Sequence, residues 1–391
     1  MFRNNSLLEI FFASLKLGFT SFGGPVAHLA YFKDEYVDTR KWLDDKTYAD
    51  IIALSQVLPG PGSSQVGIAI GMIRGGLFGG VVSWIAFTIP SVIVLVLFAL
   101  LFQTYTMGEM TWISSLKVVA VAIVAHAVLG LGKKLTPDKP RLAIALIAAL
   151  VMLAFASTIA QIGVIIVAGI IGFFFFSGNS NPKIKPITVD FSKKHGLVAL
   201  GLFALLLIGL PIVSSLTNHG YVSLFDTFYR VGSLVFGGGH VVLPLLEQEI
   251  VPTGLLSNDE FLAGYGVAQA VPGPLFTFAS YLGTMISGIS GALLATIAIF
   301  LPSFLLIIGA LPFLGELQNN PRFQGILMGI NASVVGILLA AFYNPVFTSA
   351  IQNGKDFGLA VILFSLLYFW KKPAWFIVVI GVILGELFAF I

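Results

Sequence analysis

The chain contains no cysteine and few charged residues, and both shortages narrow what it can do. Without cysteine it has no disulfide, no thiolate metal site and no thiol redox chemistry. Only 10% of its 391 residues are charged, whereas soluble domains carry about 25%. The five histidines lack metal-ligand spacing, and the net charge of +3 says little about partners. We therefore predict no metal, no cofactor and no nucleic-acid partner.

Long apolar runs are abundant, since 57% of the residues are hydrophobic. Crossing a bilayer takes about 20 apolar residues, and no stretch is long and polar enough for a separate soluble domain. We predict an all-α polytopic membrane protein whose first segment is a membrane helix rather than a cleaved signal. Thirteen apolar segments are expected: 6–31, 48–75, 77–102, 112–132, 141–156, 158–176, 196–216, 224–246, 260–287, 290–313, 323–343, 357–370 and 373–390.

An uncommon pattern occurs twice, roughly two hundred residues apart, inside this apolar sequence. The first copy consists of Gly18, Phe22-Gly23-Gly24, Pro59-Gly60-Pro61 and Pro90-Ser91. The second copy consists of Gly232, Phe236-Gly237-Gly238, Pro272-Gly273-Pro274 and Pro302-Ser303. A duplicated membrane unit with helices broken by glycine and proline in matching places predicts a transporter that binds its substrate at the breaks.

The first six segments match the last six and leave segment 196–216 over. We predict an N-terminal repeat over 1–176, a cytoplasmic linker with an extra central helix over 177–223, and a C-terminal repeat over 224–391. If each repeat crosses an even number of times, one additional crossing makes the second repeat enter from the opposite side. The repeats are therefore predicted to be inverted, with broken or re-entrant helices at both motifs.

The distribution of lysine and arginine predicts the orientation in the cytoplasmic (inner) membrane. With the N-terminus inside and the C-terminus outside, the basic loops lie in the cytoplasm: 133–141, 183–194 and 371–372. The loop 246–258, with Glu247 and Glu249, fits the cytoplasmic side poorly, although acidic residues count little. Segment 32–47 mixes charged and aromatic residues and is predicted to lie at the interface.

Each break would present backbone groups that suit an anion. Proline lacks an N–H and paired glycines permit unusual dihedrals, so the helix cannot continue. The half-helix after a break offers free N–H groups and the positive end of its dipole. Hydroxyls follow the Pro-Gly-Pro motifs at Ser63, Ser64 and Thr277; they can bind an oxyanion or simply cap a helix. Glycines can also serve close packing, but two copies in register favour function.

Alignment of the repeats matches Lys16 with Arg230, Glu35 with Glu249, and Gln56 with Gln269. Lys16 lies ~15 Å along its helix, near the middle of the bilayer, where a charge is functional by default. Alternatively, both basic residues reach a surface or pair with a carboxylate. The candidates for proton coupling are Glu35, Glu249, His28 and His240, although an interior histidine is more often only structural.

The predicted substrate-binding residues are those of the breaks and their polar neighbours, and none is predicted to be catalytic. In the first half they are Lys16, Phe22, Gly23, Gly24, Pro25, Gln56, Pro59, Gly60, Pro61, Gly62, Ser63 and Ser64. In the second half they are Arg230, Phe236, Gly237, Gly238, Gly239, His240, Gln269, Pro272, Gly273, Pro274 and Thr277. An intramembrane enzyme is a rival hypothesis, but no His-Glu-x-x-His or Gly-x-Ser-x-Gly motif supports it.

Phe-Gly-Gly-Pro followed by a Pro-Gly-Pro break, with both repeated in a second half, resembles the chromate ion transporter family. The resemblance is to its long form of two homologous halves. Residues 14–91 and 228–303 carry the motifs, while the other helices match only in number and order. The sequence departs from its own repeat at Gly239, which replaces a proline, and at Leu275, which replaces Gly62. We therefore expect the two halves to differ in their contributions.

The resemblance implies export of chromate, driven by the proton-motive force and conferring chromate resistance. Sulfate has the same charge and shape, so a transporter or channel for sulfate or a related oxyanion is the alternative. The membrane potential supplies ~2.3 kcal/mol per charge per 100 mV, so it could drive a dianion out without protons. The expected partners are the bilayer, chromate or sulfate, and protons where they couple; a homodimer stays open.

Overall fold

A computed structural model describes residues 4–22, 24–104, 111–155, 157–176, 193–217, 219–235, 242–313 and 320–389. Every regular element in these ranges is helical, and they contain no strand. The helices before the centre are α1 Asn4–Thr20, α2 Gly24–Phe32, α3 Asp45–Val57, α4 Gly62–Thr104, α5 Thr111–Leu135, α6 Lys139–Ala154 and α7 Thr158–Phe175. Those from the centre onward are α8 Lys193–Thr217, α9 Gly220–Leu234, α10 Val242–Ile250, α11 Asn258–Ala270, α12 Phe278–Ala310, α13 Pro321–Ala341, α14 Gly354–Tyr368 and α15 Ala374–Ala389.

Helices on the two sides of α8 correspond in order and length. The short helices α2 and α10 each have 9 residues, and α3 and α11 each have 13. The longest helices, α4 and α12, contain non-helical residues at equivalent places, Gly75 and Gly76 in one and Ser287 and Gly288 in the other. These interruptions coincide with the junctions between apolar segments that the sequence indicates.

The described helices have the length and surface of a multi-pass membrane protein. Five helical stretches among the described residues are long and apolar enough to cross a bilayer. Large apolar side chains are exposed on helices such as α8, where Leu205 and Ile208 are each 67% exposed. A polypeptide that exposed such surface to water would aggregate, whereas lipid covers it without cost. The predicted fold class is confirmed at this level, and the number of crossings stays a prediction.

The chain forms two compact units, and each takes helices from both halves of the sequence. Unit 1 contains Met1–Phe98, Ser180–Gly239 and Pro272–Asn319, and unit 2 contains Ala99–Asn179, His240–Val271 and Asn320–Ile391. The described positions of the paired motifs fall in unit 1, including both Pro-Gly-Pro motifs and both Pro-Ser pairs. The compact units therefore do not follow the linear division at 176 and 223, and the repeat boundaries stay a prediction from the sequence.

Unit 2 shows a reciprocal packing of the corresponding helices. Helix α13 packs against α6 and α7, and α5 packs against α14 and α15. Small residues bring the backbones together at both crossings: a Cβ on Gly172 of α7 would collide with the Gly325 carbonyl of α13, and one on Gly385 of α15 would collide with the Ser115 side chain of α5. Close backbone approach through small residues is how membrane helices associate without a hydrophobic driving force.

Helix α10 corrects the predicted loop 246–258. The helix continues to Ile250, and Glu247 lies within it at 2% exposure instead of in a loop. The reason is packing, because the apolar face formed by Val242, Leu243 and Leu246 is fully buried and carries the following residues inward with it. Glu247 is therefore not a loop charge that bears on the orientation.

The predicted interfacial segment 32–47 is mostly helical. A π-helical turn, Lys33–Thr39, follows α2 and buries Glu35. Asp44 begins α3 by accepting a hydrogen bond from the Thr47 backbone N–H, which holds the pKa of the Asp44 carboxyl below its ordinary value. This is the expected role of aspartate at a helix N-terminus.

Candidate functional site

The first predicted break is present in unit 1. Helix α1 ends at Thr20, residues Ser21 and Phe22 are not helical, and α2 begins at Gly24. Pro25 is the second residue of α2, a position that tolerates proline because its missing N–H would have had no partner there. The sequence thus predicted correctly that the first helix breaks at this motif.

The two Pro-Gly-Pro motifs connect helices in the same way. Helix α3 ends at Val57 and α4 begins at Gly62, directly after Pro61. Helix α11 ends at Ala270, and a 3₁₀ turn, Leu275–Thr277, starts directly after Pro274 and leads into α12. Both motifs therefore end one helix and begin another, as proline chemistry predicts.

The Pro-Gly-Pro glycine of each half binds the break of the other half. The Gly60 N–H donates to the Val235 carbonyl at 2.6 Å, and the Gly273 N–H donates to the Ser21 carbonyl at 2.9 Å. Ser21 and Val235 are equivalent, since each directly precedes a Phe-Gly-Gly motif. Both acceptors stand at interrupted helix ends, so these bonds satisfy backbone groups that a membrane interior would otherwise leave unpaired.

Both of these glycines are required by their conformation and their surroundings. Gly60 has φ +118° and Gly273 has φ +98°, a region that L-residues rarely adopt. A Cβ on Gly60 would lie 2.6 Å from the Ser303 Oγ, and one on Gly273 would lie 2.7 Å from the Ser91 Oγ. Ser91 and Ser303 are the equivalent residues of the two Pro-Ser pairs, so the steric contacts are reciprocal as well.

Several hydroxyl groups of unit 1 are buried without a partner near these motifs in the sequence. The hydroxyls of Ser21, Ser64 and Thr88 belong to residues no more than 3% exposed, and none has a hydrogen-bond partner among the described residues. Ser21 lies in the first break, Ser64 in the first turn of α4, and Thr88 shortly before Pro90. A buried hydroxyl without a partner has a donor to offer to a ligand or to water.

The other predicted hydroxyls already have partners. Ser63 Oγ lies 3.1 Å from His28 Nδ1, and Thr277 Oγ1 donates to the Pro274 carbonyl at 2.7 Å. His28 is 1% exposed, and its ring packs edge-on against Phe87. In this conformation His28 is a hydrogen-bonded interior histidine that joins α2 to the start of α4.

Lys16 pairs with a carboxylate. Its Nζ donates to Glu35 at 2.6 Å, and Arg40 Nε donates to the other Glu35 oxygen at 2.7 Å. The Lys16 side chain is 61% exposed, whereas that of Glu35 is 5% exposed. Burial raises the pKa of Glu35, but the hydrogen bonds and charges of Lys16 and Arg40 outweigh it, so the pKa lies below its ordinary value. Two cations that keep a carboxyl ionised make it a poor proton carrier.

Arg230, the counterpart of Lys16, also pairs with a carboxylate. Its guanidinium donates to Asp226 Oδ2 at 2.8 Å, one helical turn away on α9. This pair is mostly buried, with side chains 16% and 7% exposed. Both basic residues of the predicted site are thus held by acidic ones, although the carboxylates come from different positions in the two halves.

The remaining predicted residues are placed as follows. Gln56 is exposed, whereas Gln269, in unit 2, is buried. Glu249 lies partly buried on α10. The following residues lie outside the described residues: Gly23, Phe236, Gly237, Gly238, Gly239 and His240. The structure therefore leaves the binding role of all these residues a prediction.

Sequence reasoning missed Ser21 and Asp226, which the structure puts at the first break and in the ion pair with Arg230. Ser91 and Ser303 were noted as members of the repeated pattern but were not among the predicted binding residues. A signal existed for Asp226, because an acidic residue four positions before an arginine on a helix suits an ion pair. No local signal identified Ser21, whose role depends on its partner Gly273 in the other half.

The comparisons with known proteins cover nearly the whole chain. The profile of a family described as chromate transporter matches residues 8–173 and 222–386. A chromate transport protein of Pseudomonas aeruginosa is 27% identical over 380 residues, which cover 95% of this chain and 89% of that protein. An uncharacterized transporter of Methanocaldococcus jannaschii is 28% identical over 393 residues, covering 98% and 95%. No solved structure matches the chain.

Proposed function

The chain belongs to the chromate transporter family, and from this premise we propose that it is a secondary transporter that exports chromate across the cytoplasmic membrane and confers chromate resistance. The observation that carries the proposal is the reciprocal pair of hydrogen bonds, Gly60 to Val235 and Gly273 to Ser21. It joins the broken helices of both halves into one arrangement within unit 1. Broken helices paired in this way are where transporters with repeats bind their substrates.

The chemistry around the breaks suits a tetrahedral dianion. Unpartnered hydroxyls at Ser21, Ser64 and Thr88 can donate to oxyanion oxygens. Lys16 and Arg230, one from each half, can together balance two negative charges. Because Glu35 and Asp226 now hold these cations, the substrate takes the place of a carboxylate when it binds. The acidic partners keep the site electrically balanced while it is empty.

The proposal includes an inverted arrangement of the two repeats, with thirteen apolar segments and the N-terminus in the cytoplasm. Helices of matched length on either side of α8 support this arrangement. The packing in unit 2 supports it as well, because α5 contacts α14 and α15 while α13 contacts α6 and α7. An extra central helix between two units of even crossing number reverses the second one, which relates the halves by a pseudo-twofold axis in the plane of the membrane.

Export is favourable energetically. A dianion that leaves a cell 100 mV negative inside gains ~4.6 kcal/mol, which supports a concentration ratio above about a thousandfold. The membrane potential can therefore drive chromate out by itself, and a coupled proton would add to this force.

Uptake of labelled chromate into inside-out vesicles tests the proposal. The membrane potential and the pH gradient are imposed separately, each with and without excess sulfate. Accumulation under either gradient is expected, and competition by sulfate would extend the substrate class to sulfate. If chromate does not accumulate under either gradient while the protein is inserted and folded, the proposal is wrong.

The site assignment is tested by removing the two basic residues. Lys16→Ala and Arg230→Ala should each reduce uptake at low chromate at least about tenfold, because a charge-assisted contact contributes roughly 1.5–3 kcal/mol. Lys355→Ala, which removes an exposed lysine at the start of α14, is the matched control and should transport normally. Normal uptake by both site variants, at equal amounts of membrane protein, would contradict the assignment.

A further inference from the structure

Glu247 is a buried carboxyl group, and no hydrogen bond among the described residues compensates for its loss of water. It is 2% exposed, and neither of its oxygens has a hydrogen-bond partner among the described residues. An ionised carboxylate without a partner is strongly disfavoured away from water, so this conformation holds Glu247 in its neutral, protonated form. Ionisation requires a conformation in which water or a cation reaches the side chain.

The position of Glu247 in the repeat sets it apart. Phe236 and Glu249 match Phe22 and Glu35 with an offset of 214 residues, and the same offset matches Glu247 with Lys33. Lys33 lies at the surface, where it binds Asp38 and Asp45, each at 3.2 Å. The first half thus has a solvated cation where the second half has a buried acid. A repeat that keeps a costly buried group in only one copy points to a role beyond folding.

The helices that pack against α10 carry other ionisable groups, and those with described contacts are engaged elsewhere. Helix α10 packs against α11 and α13. On α11, Asp259 binds Lys117, Glu260 accepts hydrogen bonds from Ser257, and Tyr265 is fully buried. On α13, Arg322 lies over the Phe173 ring. Glu249 is the other carboxylate of α10 itself, two residues further on.

We propose that Glu247 is the proton-binding residue that couples transport to the pH gradient. Helix α10 begins at Val242, directly after the second Phe-Gly-Gly motif in the sequence, so Glu247 lies within eleven residues of a predicted substrate-binding segment. The conformation described here requires a bound proton, and a conformation that wets α10 releases it. A group protonated in one conformation and ionised in the other shifts their balance about tenfold per pH unit. Proton entry would thus favour the return step after chromate has left.

The inference rests on the proposed function, and the experiment separates the two. Wild-type protein, Glu247→Gln and the control Asp34→Asn are reconstituted in proteoliposomes. Chromate counterflow, which needs no gradient, is measured beside accumulation driven by a pH gradient with the potential clamped at zero. An internal pH dye records proton movement when chromate is added. Glutamine has the shape of the neutral acid, so it should fit the buried position.

Glu247→Gln is expected to keep counterflow within about twofold of wild type. Its pH-driven accumulation should fall at least about tenfold, and the proton signal should disappear. Asp34→Asn, which removes an exposed carboxylate outside the proposed site, should behave as wild type in all three assays. Full pH-driven accumulation by Glu247→Gln would overturn the inference, and so would a joint loss of counterflow, which indicates a structural role. A wild type that shows counterflow but no response to pH would also overturn it, whereas a wild type without counterflow refutes the proposed function instead.

Discussion

Single residues in unit 1 act by joining distant parts of the chain. Gly60 and Gly273 each donate one backbone hydrogen bond and leave room for one serine, and no other residue type does both at a positive φ. Both positions therefore need glycine, because a Cβ at either one would push the Pro-Gly-Pro motif away from the other half. Leaving a buried carbonyl such as that of Val235 without its donor costs about 1–3 kcal/mol.

Gly60→Ala and Gly273→Ala should each lower chromate transport at least about tenfold while much of the protein still reaches the membrane. The added Cβ meets a serine Oγ below 3 Å, and alanine is strained at positive φ by roughly 1–2 kcal/mol. Transport in vesicles, normalised to membrane protein, measures the effect. Gly201→Ala in α8 is the control, because no atom lies within 4 Å of its added Cβ. Normal transport by both site variants would show that the reciprocal contacts are dispensable.

The ion pair between Lys16 and Glu35 also joins residues that are distant in the sequence. The pKa of Glu35 is lowered, so its ion pair with Lys16 persists below the ordinary pKa of a carboxyl and weakens only as the pH falls through the depressed value. At neutral pH Glu35 is therefore a fixed anion, and Glu247 is the carboxyl whose protonation depends on conformation. The sequence indicated Lys16 and Glu35 as important, but only the fold brings them together.

At the scale of elements, the crossing of α7 and α13 shows how small residues determine packing. Gly172 lies against the Gly325 carbonyl, and Gly329 lies against the Ala168 carbonyl. The backbones are so close that no side chain fits between them. Gly163, on the same helix α7, has no atom within 4 Å of an added Cβ. An added methyl group would therefore force the helices apart at Gly172 but would meet no atom at Gly163.

Gly172→Ala is expected to lower the midpoint of thermal unfolding in detergent by several degrees, because α7 and α13 must separate to admit the Cβ. Gly163→Ala should leave the midpoint unchanged or raise it slightly, since alanine favours a helix by up to about 1 kcal/mol over glycine. A fluorescence-monitored melt of both variants measures the difference. Equal midpoints would show that the crossing is looser than described.

Helix existence and breaks were predictable at this scale, and helix ends were less so. The breaks after Thr20 and Val57 follow from the absence of an N–H in proline and the freedom of glycine, which are local properties. The end of α10 was placed too early, because burial of its apolar face extends the helix to Ile250 past two acidic residues. Packing outweighed the local preference of glutamate for water.

At the scale of the whole molecule, the halves of the sequence are not the units of the structure. Each compact unit contains helices from both halves. In unit 1 the reciprocal hydrogen bonds join the halves. In unit 2, α5 of the first half packs against α14 and α15 of the second, and α13 of the second half packs against α6 and α7 of the first. Neither half completes its own Pro-Gly-Pro contact, so each copy of the motif depends on the other half for a backbone partner.

The orientation can be tested directly because the chain has no cysteine. Thr217→Cys, at the exposed end of α8, should react with a membrane-impermeant thiol reagent in intact cells. Lys134→Cys, exposed near the end of α5, should react only after the cells are permeabilised. The unaltered chain provides a control without background labelling. The opposite labelling pattern would refute an N-terminus in the cytoplasm.

By itself, the sequence determined the helical membrane fold, the positions of the first Phe-Gly-Gly break and of both Pro-Gly-Pro breaks, and the duplicated pattern. These depend on apolar length and on the covalent chemistry of proline and glycine, which act within a few residues. Only the tertiary structure decided that Gly60 meets Val235, that Lys16 and Arg230 are held by Glu35 and Asp226, and that Glu247 is buried without a partner. The long-range contacts among these come from packing between distant segments, and packing is what determines which backbone and charged groups lose their water.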